Sequence, residues 1–192
     1  MARRYSRMLP LGTPAPRFAL PDTVTGTTVA LEDLASSPAL LIAFICNHCP
    51  FVKHILEGFV GFARDFGPRG VAVLAVSSND AAGYPDDAPA AMTRIATLKG
   101  FTFPYLYDES QEVAKAYQAI CTPDFFMFDR DRRLAYRGQF DGSRPGNNIP
   151  VTGSDLGAAA EALLRGRPVS PEQTPSVGCS IKWKPGQAPD WM

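Results

Sequence analysis

Residues 39–51 of the chain read ALLIAFICNHCPF, and this stretch decides which fold the sequence predicts. Its first seven residues are apolar without alternation, which is typical of a strand buried on both faces of a sheet. From Val52 to Phe66, apolar residues recur at spacings of three and four, a pattern that predicts a helix. The Cys-x-x-Cys motif of Cys46 and Cys49 therefore falls where a buried strand ends and a helix begins.

A second buried strand is predicted directly after this helix. Residues 67–70, GPRG, end the helix, and residues 71–77, VAVLAVS, form another continuous apolar run. A strand, a helix and a strand in this order predict a βαβ unit with a right-handed parallel crossover.

The remaining patterns predict further strands and helices around this unit. Phe18, Leu20, Val29 and Leu31 flank a turn at Gly26, which is typical of an N-terminal β-hairpin. Later patterns predict a helix over 90–99, a strand over 103–106, a helix over 108–119, strands over 125–128 and 134–137, and a helix over 154–164.

The length and composition suit one domain with additions at its ends. The chain has 192 residues, of which 45% are hydrophobic, so we expect a single domain over 1–192 with its core at about 12–166. Residues 167–192 are rich in Pro and Gly and contain both tryptophans. We expect this C-terminal tail to fold back over the body.

Charge and apolar run length limit the expected partners. Nineteen basic and nineteen acidic residues cancel, so no general field favours nucleic acid or an anionic membrane. The basic residues near the N-terminus precede no apolar stretch of signal-peptide length, and the run at 39–46 is too short to cross a bilayer. We expect a cytoplasmic location, where a close cysteine pair more often indicates catalysis or metal binding than a structural disulfide.

The position of the dithiol predicts thiol–disulfide chemistry. The N-terminus of a helix offers unpaired N–H groups and the positive end of the helix dipole, so we expect the pKa of Cys46 to fall below about 8.5. Cys49 lies one turn further on, where it can attack a mixed disulfide formed at Cys46. A protonated His48 would favour the Cys46 thiolate further; the alternative is an exposed histidine that only shapes the loop.

A metal site is the other interpretation of the same thiols. Cys46, His48, Cys49 and Cys121 could together hold an ion, and two unrelated thiols are a further alternative. Structural zinc normally needs four ligands, and the sequence has no second Cys-x-x-Cys and no paired-histidine motif. We therefore expect neither a metal nor another cofactor.

Three motifs carry a resemblance to a known family. They are GTPAPRFALPD at 12–22, CNHCPF at 46–51 and CTPDFF at 121–126. In these motifs and in its order of elements, the chain resembles the redoxin branch of the thioredoxin superfamily, the AhpC/TSA-like and TlpA/ResA-like proteins, over about residues 12–166. The resemblance implies an α/β fold of three layers, with a central mixed sheet and helices on both faces. The N-terminal β-hairpin and the C-terminal tail extend that fold.

The resemblance also implies roles for residues of these motifs. Cys46 corresponds to the nucleophile and Cys49 to the resolving thiol. Pro123 corresponds to the cis-proline that faces the dithiol, and Thr122 is expected to offer backbone hydrogen bonds to a substrate strand. Between the cysteines, Asn47 and His48 are expected to contact the substrate.

The residues near this proline, Cys121 and Asp124, can each be interpreted in two ways. Cys121 is either a third redox thiol or a small buried apolar residue. Asp124 either contacts the substrate or forms a turn or strand cap. Cys179, in the tail, has no position that the sequence determines.

Three departures from the family pattern shape the expected function. Ile45 replaces the tryptophan of thioredoxin, and Leu40 replaces its buried carboxylate, so the group that deprotonates Cys49 is unidentified. Ala43 stands where peroxiredoxins have a threonine. We predict a thiol–disulfide oxidoreductase that acts on protein or small-molecule disulfides and thiols, with an unidentified electron donor. A peroxiredoxin-like thiol peroxidase is the alternative, followed by a metal-binding or metallochaperone module.

Overall fold

A computed structural model describes residues 3–191 and has a five-stranded mixed sheet at its centre. The helices and strands follow the order that the sequence patterns predict, with additional short strands near both ends and beside Pro123. The elements are β1 (Arg3–Tyr5), β2 (Ala19–Pro21), β3 (Thr28–Ala30), β4 (Ala39–Phe44), α1 (Pro50–Phe66), β5 (Val71–Ser77), α2 (Pro89–Lys99), β6 (Tyr105–Tyr107), α3 (Glu112–Ala116), β7 (Cys121–Thr122), β8 (Asp124–Phe128), β9 (Leu134–Gly138), α4 (Ser154–Leu164) and β10 (Val177–Ser180).

Strand β4 is the middle of the central sheet, whose order is β6-β5-β4-β8-β9. It runs parallel to β5 and antiparallel to β8, so the predicted parallel crossover and mixed sheet are confirmed. All six residues of β4 are buried, because both faces of the sheet are covered. Leu41 and Ala43 pack with α1, α2 and α4, whereas Leu40, Ile42 and Phe44 pack with α3 and the N-terminal hairpin.

The predicted hairpin is confirmed, and the predicted third helix is too long. Strands β2 and β3 pair antiparallel around Gly26, whose φ of +75° suits a glycine. The helix predicted over 108–119 is reduced to the five residues of α3. Asp108 accepts the N–H groups of Val113 and Ala114 through its side chain, and Gln111 has a positive φ, so the backbone before α3 does not continue the helix. Within residues 3–191, no helix combines the length and apolar character needed to span a bilayer.

The C-terminal tail folds back as predicted, and it forms a sheet that the sequence patterns do not predict. Strand β10 lies between β1 and β7 and is antiparallel to both. Its register places Cys179 opposite Thr122. Just past β10, the N–H of Ile181 donates to the carbonyl of Ile120 at 3.0 Å. The tail therefore covers the backbone edge that immediately precedes Pro123.

Gly178 allows β10 to approach this edge closely. A Cβ atom at this position would lie 1.9 Å from the carbonyl oxygen of Thr122, well inside van der Waals contact. Backbone rather than a flexible side chain provides this obstacle, so a larger residue requires the strand to move.

We expect the Gly178→Ala substitution to lower the free energy of unfolding by about 2 kcal/mol, because overpacking against a fixed backbone is costly. Gly61→Ala is the matched control, since nothing lies within 4 Å of a Cβ at that helical position. This control should be neutral or stabilising by up to about 1 kcal/mol. Urea unfolding of both variants measures the difference, and equal stability of the two would contradict the close contact of β10.

Candidate active site

The dithiol lies at the junction of β4 and α1, as the sequence predicts. The N–H of Ile45 donates to Val76 O at 2.9 Å, which keeps the chain in the sheet up to Cys46. Cys49 is the N-cap of α1, and Pro50 occupies the first helical position, where its missing N–H costs no helical hydrogen bond. Both cysteines are free thiols, with 1% and 0% of their surfaces exposed.

Thr122 and Pro123 face the two thiols. The Thr122–Pro123 peptide bond is cis, as the family resemblance implies. Thr122 Oγ1 lies 3.3 Å from Cys46 Sγ, and the Thr122 carbonyl lies 3.1 Å from Cys49 Sγ, where it can accept the thiol proton. The predicted contact of Thr122 with a substrate strand meets an obstacle, since β10 of the same chain already pairs with this edge.

In the reduced dithiol the negative charge lies on Cys49. The expectation that the pKa of Cys46 is lowered is therefore wrong, because that pKa is raised. The hydrogen bond from the Cys46 thiol is the largest influence that lowers the pKa of Cys49 to about 5. A hydrogen bond from Cys179 and a contact with the N–H of Val52 act in the same direction, while burial opposes them. Because Cys49 rather than Cys46 is the N-cap, the helix terminus favours the anion there.

Cys46 keeps its proton in this arrangement. Its hydrogen bond to Cys49, its burial and the negative charge of Asp87 all raise the pKa of Cys46 above the usual value. The two thiols titrate as a coupled pair that shares one proton near neutral pH. The Cys49 thiolate is the neighbouring group that can accept the proton of Cys46.

Asp87 organises the loop that contains the dithiol. It is completely buried, and its carboxylate accepts the N–H of Asn47 at 2.7 Å and the side-chain amide of Asn79 at 2.8 Å. His48 Nδ1 lies 2.5 Å from the same carboxylate, and the His48 ring stacks on Tyr84 with the ring centroids 5.1 Å apart. His48 is thus held by an acidic partner and an aromatic ring, and it is only slightly exposed.

The groups that could ligate a metal differ from the predicted set. One ligand atom each from Cys46, His48 and Asp87 lies within 4.8 Å of the others. Asp87 replaces Cys49 and Cys121 of the sequence-based set, and three ligands are fewer than a closed zinc site uses.

The other predicted site residues are engaged within the protein. Asn47 donates from its side-chain amide to Asp86 O at 2.7 Å and accepts from Tyr105 Oη at 3.1 Å, which fixes its side chain beside the dithiol. Asp124 is completely buried, and this burial raises its pKa well above the usual value. A substrate contact by Asp124 would therefore require a change of structure.

Cys121 has the surroundings of a buried apolar residue. It is completely buried, its thiol lies 3.6 Å from Pro123 O, and it is hydrogen bonded to Asp124. Burial is the largest cause that raises the pKa of Cys121 well above the usual value. A thiol that ionises so poorly is a weak nucleophile.

A cavity of about 280 Å³ opens beside Cys46. Most of its lining is apolar, and Lys53, Glu57 and Lys99 supply the charged groups; Lys99 is paired with Glu57 at 2.6 Å. Cys46 therefore forms part of the wall of this cavity. Its lining comprises Ile45, Cys46, Asn47, Val52, Lys53, Leu56, Glu57, Ile95, Lys99 and Phe101.

Sequence reasoning missed two residues of this site, Asp87 and Cys179. Asp87 lies in a stretch rich in Gly, Pro and Asp, where nothing local distinguishes it from Asp86 or Asp80. Cys179 reaches Cys49 only because β10 pairs with β7. A fourth cysteine near the C-terminus was the one available signal for the latter contact.

A mixed sheet with a dithiol after its central strand, facing a cis-proline, defines a thioredoxin-fold protein of the redoxin type. The family model described as the AhpC/TSA family matches residues 11–137, and the chain belongs to this family.

Two similar crystal structures cover almost the whole chain. One is an uncharacterized conserved protein from Geobacillus kaustophilus, with 57% identity, a TM-score of 0.95, and 97% of this chain and 98% of that chain covered. The other is a hypothetical protein from Sinorhizobium meliloti 1021, with 50% identity, a TM-score of 0.93, and coverage of 95% and 99%. A putative thiol:disulfide interchange protein DsbE from Chlorobium tepidum shares the fold at 22% identity, with a TM-score of 0.63 and coverage of 81% and 99%. Among curated proteins, no sequence matches the chain.

We expect the reduced protein to titrate one thiolate with an apparent pKa of about 5, because Cys49 is stabilised as an anion. Absorbance at 240 nm between pH 3 and 10 measures it. Cys49→Ser should remove this transition, and Cys121→Ser should retain it. If the transition survives in Cys49→Ser and disappears in Cys46→Ser, the charge belongs to Cys46 instead.

The same shift has a consequence for stability. The pKa of Cys49 is lower in the folded protein than in the unfolded chain. The Cys49 thiolate therefore contributes fully to the free energy of unfolding above the unfolded pKa of about 8.5. The contribution decreases as the pH falls towards 5. Relative to Cys49→Ser, the reduced wild-type protein should therefore lose stability from pH 9 to pH 5.

Proposed function

We propose that the chain is a thiol–disulfide oxidoreductase in which Cys46 is the nucleophile and Cys49 the resolving thiol. The observation that carries the proposal is a pair of free thiols at a strand–helix junction that faces the cis Thr122–Pro123 bond, with Thr122 Oγ1 3.3 Å from Cys46 Sγ and the Thr122 carbonyl 3.1 Å from Cys49 Sγ. Membership of the AhpC/TSA family supports redox chemistry in general.

The proposed reaction has two exchange steps. In the first, Cys46 passes its proton to Cys49 while its sulfur attacks a disulfide, and one thiolate of the substrate leaves. The neutral Cys49 thiol can then donate a hydrogen bond to the Thr122 carbonyl, which lies 3.1 Å from its sulfur. In the second, Cys49 attacks Cys46 Sγ of the mixed disulfide, its proton goes to the leaving sulfur, and a Cys46–Cys49 disulfide remains. The substrate gains the two electrons that the dithiol loses, and an external dithiol restores the enzyme.

Small-molecule disulfides and thiols are the substrates that we propose. The backbone edge at Thr122, where an extended polypeptide would pair, is occupied by β10. The cavity beside Cys46 is the remaining approach, and its apolar lining suits a compact ligand. The electron donor is a thiol that reaches Cys46 by the same route.

Thiol peroxidase activity is the second candidate, and one contact favours it. Ala43 lacks the hydroxyl group that a peroxidase would place near its cysteine, but Thr122 Oγ1 lies 3.3 Å from Cys46 Sγ. In that reaction Cys46 displaces hydroxide from hydrogen peroxide to form a sulfenic acid, and Cys49 condenses with it to give the disulfide and water.

We expect Cys46→Ser to abolish the reduction of a small-molecule disulfide, because serine cannot form the mixed disulfide. Cys49→Ser should form a stable mixed disulfide and stop after one equivalent. Cys121→Ser is the matched control and should keep wild-type turnover, since its thiol is directed to Asp124 and Pro123 O and Cys121 does not line the cavity. Full activity in Cys46→Ser would contradict the proposal, and a peroxide rate constant no higher than that of free cysteine would exclude the second candidate.

A further inference from the structure

Cys49 is in contact with a second thiol besides that of Cys46. Cys179 packs with Cys46 and Cys49 in one buried core, and its thiol helps to lower the pKa of Cys49. Cys179 is 2% exposed and lies opposite Thr122 in the pairing of β10 with β7. The Cys49 sulfur therefore has two neighbours with which a disulfide bond can form.

The chain holds Cys179 in this position from both sides. Before it, Ser176 Oγ donates to Pro123 O at 2.6 Å, and Gly178 packs against the Thr122 carbonyl. After it, Ile181 N donates to Ile120 O at 3.0 Å. The contact between Cys179 and Cys49 thus belongs to a strand that is fastened to the same loop as the dithiol.

The charge of Cys49 keeps Cys179 protonated while the dithiol is reduced. Burial is the largest cause that raises the pKa of Cys179 to about 12, followed by its hydrogen bond to Cys49 and the negative charge there. A Cys46–Cys49 disulfide carries no such charge, so only the burial opposes ionisation in the oxidised protein. Oxidation of the dithiol therefore makes Cys179 easier to deprotonate.

We propose that Cys179 is a third catalytic thiol, which takes over the disulfide from Cys46; this inference rests on the proposed function of the dithiol. Cys179 Sγ attacks Cys49 Sγ of the Cys46–Cys49 disulfide. The Cys49–Cys179 bond forms, the Cys46–Cys49 bond breaks, and Cys46 leaves with the electron pair and accepts the proton that Cys179 gives up. The number of disulfides is unchanged, so the step needs no external oxidant or reductant.

The transfer restores a free thiol at the substrate cavity. Cys46 lines that cavity, whereas neither Cys49 nor Cys179 belongs to its lining. The oxidising equivalent is then stored away from the substrate route, and Cys46 can react again. Cys121 takes no part, because its thiol is directed to Asp124 and to the Pro123 carbonyl.

Peptide mapping of the full-length protein tests the proposal. The reduced protein is oxidised with one equivalent of diamide, quenched with acid at intervals, alkylated and digested with trypsin. Cys46 and Cys49 lie in one tryptic peptide, residues 18–53, and Cys179 lies in another, residues 166–182. A Cys46–Cys49 disulfide is therefore internal to one peptide, whereas a Cys49–Cys179 disulfide joins two peptides and leaves Cys46 alkylated.

We expect the joined peptides to appear after the internal disulfide and to reach at least about a tenth of the oxidised chains, which corresponds to a free-energy difference of about 1.4 kcal/mol or less between the two disulfides. Alkylated Cys179 in all oxidised chains at every time would overturn the proposal while leaving the dithiol function intact. If no disulfide forms at Cys49 at all, the proposed function itself fails.

Matched serine variants assign the bonds. Cys46→Ser should still form the Cys49–Cys179 disulfide on oxidation, because both sulfurs remain in contact. Cys179→Ser should keep only the internal disulfide, and Cys121→Ser should give the wild-type map. A joined peptide that persists in Cys179→Ser, or disappears in Cys121→Ser, would contradict the assignment. Circular dichroism confirms that each variant is folded, and Cys179→Ala replaces the serine variant if it is not.

Discussion

The position of the Cys49 sulfur is the constraint on which the rest of the site depends. Cys49 is the N-cap of α1, so the helix terminus favours a negative charge there. The loop before β8 brings the Thr122 carbonyl to 3.1 Å from the sulfur, and β10 brings Cys179 into contact with it. Three segments that are distant in sequence therefore meet at one atom. The strand–helix junction, the cis-proline loop and the C-terminal tail all determine how that sulfur ionises and which bond it forms.

A buried carboxylate complements this arrangement on the Cys46 side. Asp87 is costly to bury, and the hydrogen bonds from Asn47, Asn79 and His48 compensate for its lost hydration. The interaction with Cys49 and burial are the largest causes that raise the pKa of Cys46, and the negative charge of Asp87 acts in the same direction, so the proton remains on Cys46. Thioredoxin places its buried carboxylate six residues before the first cysteine, where this chain has Leu40. In this protein Asp87, from the segment between β5 and α2, brings a buried carboxylate to the dithiol loop instead.

The sequence predicted the elements whose signals are local. The apolar runs at β4 and β5 and the periodicity of α1 were sufficient, because residues close in sequence determine each of these patterns. The sheet of β1, β7 and β10 could not be predicted, since its strands have two to four residues and pair Arg3 with Cys179 across the length of the chain. The site divides in the same way. Cys46, Cys49 and Pro123 belong to motifs, whereas Asp87 reaches the dithiol only through tertiary structure. The predicted pKa direction for Cys46 was wrong because it assumed the helix terminus to be the dominant influence on that residue.

The central claim is that Cys46 and Cys49 form a reversible redox pair, and a redox titration tests it most directly. The protein is equilibrated in glutathione or dithiothreitol buffers of defined potential, and the alkylation of each of the four cysteines is read by mass spectrometry. The account predicts a two-electron transition that protects Cys46 and Cys49 from alkylation, with a midpoint between roughly −270 and −120 mV, while Cys121 is alkylated after unfolding at every potential. Alkylation of both Cys46 and Cys49 at all potentials would contradict the account and would leave the cluster of Cys46, His48 and Asp87 as the feature to explain.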